Sequence, residues 1–223
     1  VQTQVAWEDY PQVPKIAFIN KMERENADFY KVLAQIKDTF SDNVVPIQLP
    51  IGAAETFKGI VDLIKMKAFL IEAGSGKMTE TDIPADMMDD VEMYKLELIE
   101  AAAEANDDLL TKYLEGEEIT DEEIKGGIKA AAASGSAVFV MCGSVLNNMG
   151  ITALMDFMAE CSPTPDHNPM VKGKDIEKDP LAAQVFKTIA DPYIGRLTMF
   201  RIFTGKLKAD SVIYNANKEK EEK

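Results

Sequence analysis

The stretch IAFINKMERENADF, residues 16–29, joins a short apolar run to a polar turn and the start of a helical pattern. Ile16–Ile19 is the continuous apolar segment expected of a buried parallel strand. Asn26 is a candidate cap for the helix that follows. That helix is predicted from apolar residues at helical spacing, which are Phe29, Val32, Leu33, Ile36 and Phe40. Strand, loop and helix in this order predict an α/β sheet with a ligand site on the loop after the strand.

A second strand, loop and helix follow near the end of the same region. AVFVMC, residues 137–142, is again a buried-strand pattern, with Cys142 as a packed core thiol, and it leads into the turn GSVLNNMG. An amphipathic helix is predicted next from Ile151, Leu154, Met155 and Met158. We interpret the two methionines as core residues with no further function.

Between these units, VVPIQL (residues 44–49) and IKMKAFLI (residues 64–71) predict two further strands. A helix is expected after Pro84, with Met88, Val91, Leu98, Ile99 and Ala102 near one face. Thr120 and Glu123 have the spacing of a capping box, which predicts another helix start. These helices have the character of an insertion.

The net charge of −14 is confined to this inserted region. Residues 72–125 carry 18 acidic residues against 4 lysines, and the rest of the chain carries 20 of each sign. Such a block should be repelled by nucleic acid phosphates. Two interpretations remain open, a set of solvated helix faces or a surface that binds a basic protein.

The proline-rich connector SPTPDHNP, residues 162–169, predicts a domain boundary. Beyond it, LAAQVFKTI, RLTMFRIF and SVIYN are short alternating segments, typical of a small antiparallel barrel or sandwich. No apolar run reaches the roughly 20 residues of a membrane span, and the first residues do not resemble a secretory signal, so we expect a cytoplasmic protein without a membrane partner. Cys142, Cys161 and His167 do not have the spacing of a metal site.

Several motifs together resemble elongation factor G, a family of ribosome-dependent GTPases. They are IAFINKME, QLPIGAAETFKGIVDLIKMKA, CGSVLNNMGITALMD, SPTP and DPYIGRLTMFRIFTG, in the family's order over essentially the whole chain. The resemblance implies an α/β fold: the C-terminal half of a P-loop GTPase domain with an inserted α+β subdomain, followed by the start of an antiparallel β-barrel domain. The implied bounds are 1–40 and 135–165 for the GTPase domain, 41–134 for the insertion and 166–223 for the barrel.

The resemblance also implies a guanine site on the two loops that follow the apolar strands. The implied nucleotide-binding residues are Asn20, Lys21, Glu23, Gly143, Ser144 and Val145. By analogy, Asn20 would link the two loops, the Lys21 stem would cover the base, and the Val145 amide would donate to the guanine oxygen. A carboxylate suits guanine because it can accept from the ring N–H and the exocyclic amine together.

Glu23 departs from the family, which has aspartate at this position. The extra methylene would move the carboxylate about 1.5 Å toward the base. The loop could retreat and keep both hydrogen bonds, keep one of them, or lose guanine discrimination. Glu25 and Asn26 also stand where the family often has glycine, and two changes in one loop favour a remodelled, working site.

The sequence contains no GxxxxGK[ST] phosphate loop and none of the family's switch motifs. We therefore expect a fragment with no catalytic residues, which would not hydrolyse GTP alone. It would bind GTP or GDP feebly, because the contacts to Mg²⁺ and the phosphates would lie upstream. We also expect unpaired strand edges that join a second copy or fray. The resemblance implies translocation of tRNA and mRNA, with the insertion on the ribosomal stalk protein and the barrel on the small subunit. A paralogue in ribosome recycling and a non-enzymatic ribosome interaction module remain the alternatives.

Overall fold

The computed structural model describes residues 2–10, 13–40, 43–165 and 168–222. They form two compact units, Val1–Ser162 and Pro163–Lys223, which divide inside the proline connector. No helix in the described part of the chain is long and apolar enough to traverse a bilayer.

The first unit contains six helices and seven strands among its described residues. The helices are α1 (Gln2–Asp9), α2 (Phe29–Phe40), α3 (Met88–Glu104), α4 (Asp107–Glu115), α5 (Asp121–Ser134) and α6 (Ile151–Cys161). The strands are β1 (Ile16–Ile19), β2 (Val44–Pro46), β3 (Gln48–Ile51), β4 (Gly59–Asp62), β5 (Lys67–Ile71), β6 (Met78–Thr81) and β7 (Val138–Cys142).

Three strands form a parallel sheet in the order β1-β7-β2. The central strand, β7, is buried at every residue, and α2 and α6 follow β1 and β7 through loops. The predicted α/β class and both strand, loop and helix units are confirmed. Because β1 and β7 are neighbours, their carboxyl ends meet at one edge of the sheet.

The predicted strand 44–49 is in fact two strands in different sheets. Val44–Pro46 pairs with β7, whereas Gln48–Ile51 begins an antiparallel sheet in the order β3-β4-β5-β6. Ile47 joins the sheets, because its N–H donates to the Val140 carbonyl and its carbonyl accepts the Leu63 N–H, both at 3.0 Å. A run of apolar residues cannot reveal such a change of partner.

The predicted strand 64–71 begins later than expected, at Lys67. The Asp62 carboxylate accepts the backbone N–H groups of Ile64 and Lys65, and Met66 has a positive φ of 51°, so these residues form a turn. Strands β4 and β6 were not predicted. The antiparallel sheet is therefore larger than the sequence pattern indicated.

The acidic region folds as the three helices α3, α4 and α5. A short 3₁₀ turn, Ala85–Met87, precedes α3, and Thr120 and Glu123 form the predicted capping box of α5. Helix α4 was not predicted, although Asn106 caps its start and Gly116 ends it with a φ of 71°.

Two details of the flanking helices correct the sequence predictions. Asp28, not Asn26, caps α2, because its Oδ1 accepts the Lys31 N–H at 3.0 Å. On α6, Met155 and Met158 are exposed, so their interpretation as core residues was wrong. The helix instead buries Phe157, whose ring meets Phe139 edge-on at 5.7 Å between centroids, together with Cys161.

The second unit is antiparallel, as its alternating segments predict. A long hairpin of β8 (Ala182–Asp191) and β9 (Gly195–Thr204) accompanies a short pair, β10 (Ile213–Asn215) and β11 (Lys220–Glu222). Asp191 closes the hairpin turn by accepting the Tyr193 and Ile194 N–H groups, each at 2.8 Å. The hairpin exposes large apolar side chains, among them Val185, Phe186, Tyr193 and Phe200.

Candidate functional site

The loops after β1 and β7 lie against each other at the carboxyl edge of the parallel sheet. The Gly143 N–H donates to the Ile19 carbonyl, and the Met22 N–H donates to the Gly143 carbonyl, both at 3.1 Å. These bonds extend the strand pairing into the loops. The two segments that the sequence selected as a site are therefore held together by backbone contacts.

Asn20 makes a further link between the loops through its side chain. Its Oδ1 accepts the Lys21 N–H at 2.7 Å and the Val145 N–H at 3.0 Å. Lys21 has a φ of 65°, in the left-handed region, and its side chain is exposed. This turn directs the polypeptide so that Met22 enters the core and Glu23 faces the second loop.

The second loop has a rigid base at Ser144, which is fully buried. Ser144 exchanges two backbone hydrogen bonds with Met149, at 2.9 and 2.8 Å, and its Oγ accepts the Asn147 N–H at 3.2 Å. Gly143 leaves no room for a side chain, because a Cβ would lie 2.3 Å from the Met149 carbonyl oxygen. Glycine is required at this position by close approach.

Glu23 carries the unusual feature of the site. Both carboxylate oxygens are enclosed, yet neither accepts a hydrogen bond from any residue that the structure describes. The Ser144 hydroxyl lies near enough to lower the pKa of Glu23, and its own backbone amide and Arg24 act in the same direction. The Arg24 Nε is 3.7 Å from Oε1, a distant ion pair. Glu23 is thus an ionised carboxylate with the Ser144 hydroxyl and its own backbone amide nearby, although no donor in the described residues lies at ordinary hydrogen-bond geometry.

This arrangement suits a ligand with two adjacent N–H donors. A carboxylate can accept from both donors at once, and an enclosed acceptor left without partners is costly. Guanine presents such a pair at its ring N1 and exocyclic amine. Glu23 thus provides an ionised acceptor of the kind that such a ligand needs, with the exposed Lys21 stem beside the site.

The structure brings all six predicted site residues onto the two adjoining loops, with one difference in detail. The Val145 N–H, expected to face the guanine oxygen, donates to Asn20 Oδ1 instead. Sequence analysis missed Met22, which is 1% exposed and whose carbonyl accepts the Ala54 N–H at 2.9 Å. The sequence pattern that could have indicated Met22 is a single apolar residue within a polar turn.

No cluster of acidic, histidine or cysteine side chains that could hold a metal ion is found among the described residues. His167, considered above as a ligand, lies outside them. Cys142 is fully buried, and desolvation raises the pKa of its thiol, as expected of a core cysteine.

Residues 2–164 match the family of the elongation factor Tu GTP binding domain. The chain belongs to this family, whose members are GTP-hydrolysing translational GTPases that bind guanine nucleotides. Among solved structures, the chain is similar to a crystal structure of ttk003000868 from Thermus thermophilus, with 28% identity and a TM-score of 0.80. The match covers 96% of this chain and 31% of that one, so the chain spans about a third of the other's length.

Proposed function

We propose that this chain carries the guanine-recognition part of a ribosome-dependent GTPase that drives translocation of tRNA and mRNA. The observation that supports this function best is the Glu23 carboxylate, which is held ionised beside the Ser144 hydroxyl on the loop that faces it and has no hydrogen bond of ordinary geometry among the described residues. A carboxylate whose hydrogen bonds are incompletely met costs stability, and a ligand with two adjacent donors would offset that cost. A guanine base supplies the two donors.

Each site residue then has a defined role. Glu23 accepts from the guanine N1–H and the exocyclic amine, while Asn20 fixes the separation of the two loops. The Lys21 stem covers one face of the base. The Val145 N–H, already bonded to Asn20, shares its hydrogen with the guanine oxygen. Gly143 and Ser144 hold the second loop at the required distance.

The longer side chain of Glu23 is accommodated by the loop rather than by loss of a hydrogen bond. Its carboxylate lies near Ser144, so the extra methylene leads toward the second loop. Adenine offers an acceptor at the ring position where guanine has a donor, and it lacks the amine. The ionised carboxylate therefore repels adenine and accepts from guanine.

Nucleotide binding also needs phosphate and Mg²⁺ contacts, and these would come from segments outside the 223 residues. Mg²⁺ would neutralise the phosphates during GTP hydrolysis. The acidic insertion, here α3 to α5, would bind the ribosomal stalk protein, and residues 166–223 would start the barrel that contacts the small subunit. The exposed apolar hairpin residues support an incomplete barrel. The protein would act in the cytoplasm.

A titration of the full-length gene product with GDP and ADP tests guanine recognition. We expect GDP to bind more tightly by orders of magnitude, because ADP leaves Glu23 without donors. Glu23→Asp is the matched variant, with a carboxylate one methylene shorter. A loop adapted to glutamate predicts weaker GDP binding by this variant. Equal affinities of the native protein for GDP and ADP would refute the proposal.

Glu23 also favours a second candidate, an elongation factor G-like paralogue in ribosome recycling. A changed specificity loop would suit a different ribosomal step. Measuring tRNA translocation and subunit splitting with the same purified protein separates the two, since the translocase moves tRNA and the recycling factor splits ribosomes. A protein that binds the stalk and shows no guanine selectivity would instead be a non-enzymatic interaction module.

A further inference from the structure

A cavity of about 420 Å³ lies in the first unit, between the antiparallel sheet, α5 and α6. None of the six guanine-site residues lines it. Its apolar walls include Ile64, Phe69, Met78, Ile128, Met141 and Phe157. A volume of this size with mainly apolar walls is typical of small-molecule sites in proteins.

One uncharged polar side chain, that of Gln48, is among the residues that line this cavity. Gln48 on β3 is 3% exposed, and its Oε1 accepts no hydrogen bond from the described residues. Its partner across the sheet is Asp62, whose carboxylate is itself an acceptor and already takes the N–H groups of Ile64 and Lys65. Gln48 therefore has an unmet requirement for a donor.

The mouth of the cavity carries balanced charge. Lys125 and Lys129 on α5 and Asp156 and Glu160 on α6 line it, all exposed. No ion pair joins the two helices here within the part of the chain that the structure describes. With Lys65 and Asp62 also present, the signs cancel, so a phosphate or another strong anion gains no attraction.

We propose that this cavity binds a neutral aromatic molecule that carries one N–H or O–H donor, with the donor on Gln48 Oε1 and the ring against Phe69 and Phe157. Aromatic and thioether walls favour an aromatic ring. The terminal torsion of a glutamine is soft, so Oε1 can turn toward a donor in the cavity. Because the positive and negative charges at the mouth of the cavity cancel, a ligand without net charge is favoured.

Indole and benzofuran test this site, since they share a shape and only indole has an N–H. Each is titrated into the ¹⁵N-labelled protein while the amide shifts are followed by NMR. We expect indole to shift amides around the cavity and benzofuran to bind about tenfold more weakly. Gln48→Leu should remove the difference. The exposed Gln35→Leu on α2, the same chemical change elsewhere, should keep it.

Ala153→Phe provides a second variant that leaves Gln48 intact. Ala153 on α6 lines the cavity, so a phenyl group there should fill it and abolish binding of both compounds. If Gln48→Leu fails to fold, Ala153→Phe still tests whether the compounds bind in this cavity. The absence of indole-induced shifts at millimolar concentration would overturn the proposal, as would equal binding of the two compounds by the native protein or unchanged indole binding by Ala153→Phe.

Discussion

Asn20 Oδ1 and the backbone N–H of Val145 lie 3.0 Å apart although 125 residues separate them in the chain. The antiparallel sheet and the helices α3 to α5 occupy most of the intervening sequence. The intervening segment therefore leaves the first loop and returns to the second without separating them. A single amide oxygen holds both loops, since it also accepts the Lys21 N–H at 2.7 Å.

Replacing Asn20 tests this link. Asn20→Ala removes both hydrogen bonds, so we expect the free energy of unfolding to fall by about 1–2 kcal/mol. Urea denaturation followed by circular dichroism measures it. Asn26→Ala is the control, because Asn26 is exposed in the same loop and makes no side-chain hydrogen bond within the described residues. Equal stability of the two variants would contradict a linking role for Asn20.

Gly143 should tolerate no side chain. A Cβ would lie 2.3 Å from the Met149 carbonyl oxygen and 2.7 Å from the Phe18 ring, so Gly143→Ala should destabilise the protein by about 1–3 kcal/mol. Gly126→Ala is a matched control on α5, where an added Cβ meets nothing within 4 Å. That change should stabilise the protein by about 0.5–1 kcal/mol, because alanine favours helix interiors. Thermal unfolding measures both changes, with a lower melting temperature expected for Gly143→Ala and a higher one for Gly126→Ala.

The capping box of α5 predicts a pH-dependent contribution to stability. A hydrogen bond from Lys112, followed by those from the Thr120 backbone and hydroxyl, lowers the pKa of Glu123 from 4.5 to about 2. Folding therefore favours the ionised carboxylate. Its stabilising effect is complete above pH 4.5 and is lost as the pH falls toward 2.

Glu123→Gln should accordingly lower the melting temperature at neutral pH, and the difference should shrink as the pH falls toward 2, where the native carboxyl becomes half protonated. Glu122→Gln is the control, since it removes the same charge from the first turn of α5. Glu122 makes no ion pair and no side-chain hydrogen bond with the described residues, so none is lost. A difference between native protein and Glu123→Gln that persists unchanged near pH 2 would rule out this account.

Features with a local cause were predictable from the sequence. The strands at Ile16–Ile19 and Val138–Cys142 follow from continuous apolar runs, and the start of α5 follows from Thr120 and Glu123. The loop after the first strand was selected because such strands direct their carboxyl ends to the ligand edge of a sheet, whereas the second loop was selected through the resemblance to elongation factor G.

Features that depend on tertiary contacts were not predictable. The change of sheet at Ile47 is determined by its separate partners, Val140 and Leu63. Asp28 and Asn26 are both good caps, and the structure uses Asp28 at a helix that starts with the buried Phe29. The buried face of α6 is set by the contact between Phe157 and Phe139, which a helical pattern cannot specify.

Exchanging the Glu23 carboxylate for an amide tests the central claim most directly. Xanthine has a carbonyl where guanine has its exocyclic amine, so Glu23→Gln supplies a donor that suits XDP and no longer accepts both guanine protons. The measurement is the ratio of the GDP and XDP dissociation constants of the full-length gene product, by calorimetry, before and after the change. We predict that the native protein prefers GDP and that Glu23→Gln prefers XDP. An unchanged ratio would contradict recognition of guanine by Glu23.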